Sequence, residues 1–174
     1  MSKLSTKTIQ YSIYDRTSGV ARYVDDTASY TRPDIEMMSD TIKGAGIMGE
    51  IDLPTLGAIS AMSIEMSLNK TNKSAIELFS PGVHTIETRW VNNVMDASTG
   101  ETGVQANKEI MKILPKTLGL GDIEANETNE GTFGAEVLTY EYIVDGKSIL
   151  KIDKLNNVFI VNGKDYSKAL RSAL

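Results

Sequence analysis

Ser39 to Asn69 reads S-D-T-I-K-G-A-G-I-M-G-E-I-D-L-P-T-L-G-A-I-S-A-M-S-I-E-M-S-L-N, and its second half decides the fold class. Met62, Ile64, Met66 and Leu68 alternate there with Ala61, Ser63, Glu65 and Ser67. That period of two predicts a strand with one buried and one solvated face. In the first half, Gly44, Ala45, Gly46 and Gly49 carry almost no side chain, which suits a tight bend or a close backbone contact. The same glycines match G-x-G-x-x-G, but a dinucleotide site needs a helix to start among them so that its N-terminus holds a pyrophosphate. Pro54 and Gly57, which follow, oppose a helix there. Glu65, near the acidic position of that fingerprint, falls inside the alternating strand. The expectation is a glycine-rich bend feeding a long strand, with no cofactor.

Working outward, Ile9, Tyr11 and Ile13 predict an opening strand, and Asp15 to Gly19 a turn. Val20 to Pro33 sustains neither period and reads as a long arm. Its Tyr23 and Tyr30 fit either the core of a small subdomain or a contact surface, since exposed tyrosine is typical of interfaces. Ile35 to Ile42 is a plausible strand entering the bend. Ser74 and Glu77 fit a capping box for one short helix, ended by Pro81-Gly82.

Val83 to Val94 returns to strand character, and Asp96 to Gly100 to a turn. Val104 to Thr117 fits both a helical stripe and alternation. Gly119 to Gly134 is a glycine-rich acidic loop that lacks the order of a calcium loop. Leu138 to Val144, the Asp145-Gly146 turn, Ser148 to Asp153 and Val158 to Val161 predict an antiparallel meander, with Asn162-Gly163 as a further turn. Tyr166 to Leu174 closes as a short helix or a tail. One helix against six or seven strands gives a mainly β fold, an antiparallel sandwich or small barrel with long loops.

Composition narrows function by exclusion. The 174 residues suit one domain, 1–174, and 41% hydrophobic residues can fill a core. A net charge of -5 opposes a protein that grips nucleic acid through its phosphates, though not one that lets it slide past. Without cysteine there is no disulfide framework and no thiolate metal site. The single histidine, His84, cannot build a histidine-rich metal centre, and no Ser/His/Asp set stands out. An enzyme would have to rest on carboxylate pairs such as Glu50 and Asp52, whose spacing is ordinary for a strand edge. No apolar run reaches the length of a membrane span, and the N-terminus has no signal-peptide centre, so synthesis in the cytoplasm is expected.

Three segments carry a resemblance. Lys43 to Gly49 (K-G-A-G-I-M-G) followed by the alternating strand, Asp96 to Thr102 (D-A-S-T-G-E-T), and Val144 to Asp165 (V-D-G-K-S-I-L-K-I-D-K-L-N-N-V-F-I-V-N-G-K-D) together resemble the major tail tube protein of contractile-tail bacteriophages and phage-tail-like bacteriocins. The resemblance favours strand over helix for Val104 to Thr117. It implies six-membered rings whose sheets join into one inner barrel and stack into a tube, with no chemistry of its own. The implied partners are further copies, the sheath, the baseplate and a tail terminator. DNA would be passing cargo in a phage and ions in a bacteriocin, after assembly in the host bacterial cytoplasm into a virion tail or a released particle. A tube of the type VI secretion system, like the haemolysin-coregulated protein, is the alternative. On this basis Tyr23, Val24, Tyr30, Gly44, Ala45, Gly46 and Gly49 are expected at contacts between subunits. The polar side of the decisive strand, Ser63, Glu65, Ser67 and Asn69, is expected to face the channel.

Overall fold

A computed structural model describes residues 3–44 and 46–173. Period-two stretches become strands throughout, and several run far longer than the mean strand. The strands are β1 (Lys3–Asp15), β2 (Arg22–Tyr23), β3 (Thr27–Thr31), β4 (Met37–Ile42), β5 (Ile51–Ile59), β6 (Ser63–Leu68), β7 (His84–Asp96), β8 (Thr102–Gly119), β9 (Gly131–Val144), β10 (Lys147–Asp153), β11 (Val158–Val161) and β12 (Lys164–Asp165). Two short helices, α1 (Lys73–Leu78) and α2 (Lys168–Ala173), complete the list, where the sequence predicted one firmly and left the C-terminus open.

β9 organises the architecture. Its first half, Gly131 to Glu136, pairs with β6, while its second half, Thr139 to Val144, pairs with β10, and β8 runs antiparallel to it throughout. From β8 the main sheet continues through β7 to β1 and β2; from β6 it continues to β3. The bent strands fold the sheet over its own apolar face as an open sandwich, not a closed barrel. Ile64, Met66, Ile86, Met111, Ile113, Phe133 and Val137 meet there at 2% exposure or less. Burial along β6 alternates without exception, so Met62, Ile64, Met66 and Leu68 point inward as their spacing requires.

Four local expectations are corrected. The arm from Val20 to Pro33 is built into the subunit: β2 pairs with β1, β3 pairs with β6, and Val24 lies in the core at 2% exposure. The bend at Gly44 to Gly49 leads into β5, not β6, because Pro54 sits on a strand with a free edge, where a missing N–H costs no ladder bond. Asn72 caps α1 by accepting the Ala75 N–H at 2.9 Å, while Glu77, freed from any capping role, pairs with Lys73 and Arg22. The acidic loop is shorter than expected, since β8 extends to Gly119 and β9 begins at Gly131. The hairpin turn is of the expected kind: Asp145 and Gly146 take φ of 46° and 80°, the left-handed pair that matches the twist of the flanking strands.

Candidate assembly surfaces

β4 and β5 form a two-stranded sheet that pairs with nothing else among the described residues. Its register places Ile42 opposite Ile51 and Asp40 opposite Leu53. Met38, Ile42, Ile51 and Leu53 therefore share one face, interrupted only by Asp40, while Ser39, Thr41, Asp52 and Pro54 share the other. That apolar face is uncovered: Met38 is 55% exposed, Ile42 42%, Ile51 50% and Leu53 52%. At the tip, Met48 is fully exposed, and Gly46 and Gly49 take φ of 93° and 101°, a region other residues adopt only under strain. Gly44 lies beside them with open space around its Cα, and Ala45 falls outside the described residues. No helix follows these glycines, so the fold offers no helix terminus for a dinucleotide phosphate.

The chain five residues ahead of the hairpin, at Arg32, is anchored by a buried polar cluster. Glu109, completely buried on β8, accepts a 3.0 Å hydrogen bond from Arg32 Nε and further bonds from the Tyr30 and Tyr140 hydroxyls at 2.5 and 2.8 Å. Arg32 also donates to the Tyr140 hydroxyl at 2.8 Å, and its guanidinium lies 4.7 Å from the Trp90 ring and 4.8 Å from the Tyr142 ring. Burial, reinforced by the Glu109 carboxylate, holds the Tyr30 and Tyr140 phenols well above their usual range. Two phenols and one guanidinium satisfy a carboxylate that would otherwise be very costly to bury.

A second enclosed carboxylate, Glu87, lies on the opposite side of its strand. Arg16 donates to it at 2.5 Å and Arg89 binds its other oxygen. Burial alone would raise this carboxyl; the hydrogen bonds and charges of Arg89 and Arg16 outweigh it and hold the group below the usual carboxylate range. His84 is buried and fixed by a 2.8 Å bond between Nε2 and the Ser80 carbonyl, a structural role. Among the described residues, no three His, Asp or Glu side chains gather in a way that could hold a metal ion, and no helix is long and apolar enough to cross a membrane.

Of the expected contact residues, Val24 is enclosed in the core and Tyr30 is half-buried with its hydroxyl on Glu109, so both serve the subunit's own packing. Tyr23 is 50% exposed and packs edge-on against Tyr14 at 5.7 Å. Ser63, Glu65, Ser67 and Asn69 are all exposed. The structure adds what the sequence reading missed, the apolar hairpin face. Its signal was present in Ile51-Asp52-Leu53, but Pro54 and Gly57 were weighed only against a helix, and the segment was read as part of the bend.

Comparison with known families decides the context of these surfaces: a model of the phage tail tube protein FII family matches residues 17–174. The chain belongs to this family. It is a structural tail tube protein, in agreement with the resemblance of its three segments. It is 28% identical over 139 residues to the tail tube protein of Escherichia phage P2, covering 79% of this chain and 80% of that one. Among solved structures, it matches the sheath/tube terminator of an extracellular contractile injection system, PVC, in its extended state, with a TM-score of 0.49 and 10% identity over 82% of this chain and 97% of that one.

Proposed function

We propose that this tail tube protein forms six-membered rings that stack into the inner tube of a contractile tail, and that the β4–β5 hairpin joins one ring to the next. The uncovered apolar face of that hairpin carries the reading. Four large apolar side chains on one side of an isolated two-stranded sheet are costly in water, and such a sheet is marginal alone, so a neighbouring copy is its natural cover. Gly44, Gly46 and Gly49 let the tip approach a neighbour's backbone closely.

Within a ring, the free edge of β1 from Lys3 to Ser12 offers unpaired N–H and C=O groups along which the sheets of successive subunits join. The exposed, small and polar Ser63, Glu65, Ser67 and Asn69 face the channel, where they give passing cargo nothing apolar to adhere to. DNA is then cargo moving past a chain of net charge -5, and the sheath, baseplate and terminator are the outer partners. The protein acts by shape and rigidity and carries out no catalysis. It is made in the bacterial cytoplasm and ends in the tail of a released particle.

Negative-stain microscopy with sedimentation of the purified protein tests this. Stacked rings with subunit interfaces in the obligate class, over ~2,000 Å², are expected. A compact monomer at high concentration, with neither rings nor tubes, overturns it.

A further inference from the structure

The acidic loop 120–130 between β8 and β9 is tied to the subunit at its base, where the Leu120 carbonyl accepts a 3.0 Å hydrogen bond from the Thr71 hydroxyl, while Asp122 to Thr128 lie in solvent. Leu120 is 59% exposed and Ile123 91%, and Asp122, Glu124, Glu127 and Glu130 form no ion pair among the described residues. Between Gly119 and Gly134 there is no lysine or arginine to offset them. Ile123 therefore stands almost wholly in water with a carboxylate on either side, an apolar side chain flanked by two negative charges.

A matching surface exists elsewhere on the molecule. Across β7, β8 and β9 the register sets Val91 opposite Ala106, Arg89 opposite Lys108, and Lys108 opposite Ile143. These five side chains share one face and line a groove of about 400 Å³. Val91, Ala106 and Ile143 form its apolar floor, with Arg89 and Lys108 as its cationic rim. Arg89 is already engaged with Glu87, whereas Lys108 forms no ion pair among the described residues. Loop and groove lie at opposite ends of the same strand: β9 leaves the loop at Gly131 and reaches the groove at Ile143. Twelve residues of β9 separate the two, and Ile123 stays 91% exposed, so within one copy the loop does not fill the groove.

We propose that Asp122-Ile123-Glu124 of one copy inserts into the Val91/Ala106/Ile143 groove of the next, with the two carboxylates against the Lys108 and Arg89 rim. The contact uses two different patches and is therefore heterologous, the kind that propagates from copy to copy instead of closing a two-fold pair. It rests on the reading that copies assemble into a tube, and supplies that assembly with a polarity the hairpin face alone does not define.

The absence of cysteine makes a direct test possible. Ile123→Cys and Ala106→Cys variants are mixed, assembled and oxidised; a disulfide-linked dimer is expected from the mixture and not from either variant alone, and a ladder from the doubly substituted chain. In parallel, Asp122→Lys with Glu124→Lys should raise the concentration needed for assembly tenfold or more, and Lys108→Glu added to that pair should recover most of it. Tubes that form normally in all these variants, without cross-linking, overturn the loop contact while leaving the tube intact. Failure of the unaltered protein to assemble overturns the tube reading and the contact with it, an outcome distinguished by that control alone.

Discussion

β6 and the β4–β5 hairpin are written in the same alternating pattern, yet they meet opposite environments. β6 lies between β3 and β9 with the opposing layer over its apolar side, and Ile64 and Met66 fall to 0% and 2% exposure. The hairpin has no second layer, and Ile51 and Leu53 remain about half exposed. Alternation therefore specifies which side chains share a face, while the topology decides whether the subunit itself covers that face. One region stores its stability inside the subunit; the other leaves its apolar face in solvent.

The largest effect on the isolated subunit is expected in the sandwich. Phe133→Ala, at a position 1% exposed, should cost about 3–5 kcal/mol through lost burial and a residual cavity. Urea unfolding of the unassembled protein measures it, and a loss below about 1 kcal/mol would show that the two layers are loosely packed.

Next comes the polar anchor at Arg32. Arg32→Ala leaves Glu109 buried with no cation, a loss of about 3–5 kcal/mol for a fully enclosed pair, reduced to about 2 kcal/mol because the Arg32 side chain is 45% exposed and the two tyrosines remain. Adding Glu109→Gln should restore part of the loss by removing the stranded charge. No recovery in the double variant would mean that Arg32 acts by packing on Trp90 and Tyr142 alone.

The same cluster predicts an alkaline limit. The Tyr30 and Tyr140 phenols have raised pKa values in the folded state, so their contribution is fully present below the unfolded tyrosine value of about 10 and is lost as pH rises above it, because the unfolded chain releases those protons first. Thermal unfolding temperatures should be flat from pH 8 to 9.5 and then fall. In a Tyr30→Phe variant the fall should be shallower.

The smallest effect on the subunit, and the sharpest contrast, belongs to the hairpin. Leu53→Ser should alter monomer stability by no more than about 0.5 kcal/mol, as expected of an exposed position. It should nevertheless raise the concentration needed for tube formation tenfold or more. Hydrogen exchange extends the test: amides of β4 and β5 should exchange quickly in unassembled protein and slowly in tubes, while those of β6 and β9 stay protected in both.

Much of this was legible in the residues. The clean alternation of β6, the left-handed Asp145-Gly146 turn and the C-terminal meander are local features that dictate their own geometry, and the structure keeps them. Val20 to Pro33 was misread because its order comes from distant partners. Val24 is buried by the folded layers, and Arg32 and Tyr30 find Glu109 more than 70 positions away. No window on the sequence contains that pairing. β5 was passed over because Pro54 and Gly57 were weighed only against a helix and the glycine bend was expected to feed β6 directly, whereas a strand with a free edge tolerates the proline. The glycine bend could be read directly, whereas the amphipathic face of the hairpin required the register of β4 on β5.

The stack of Trp90 on Tyr142, with ring centroids 5.6 Å apart and planes 1° from parallel beneath the Arg32 guanidinium, gives the molecule an intrinsic optical reporter. Trp90 is the only tryptophan in the chain, so its emission comes from one address. That address is the buried cluster of Arg32, Glu109 and Tyr140. A guanidinium held against an indole makes fluorescence intensity sensitive to the Arg32 contact, so loosening of the Arg32–Glu109 cluster is read from a single residue. Opening of that cluster can thus be followed in real time, without labels.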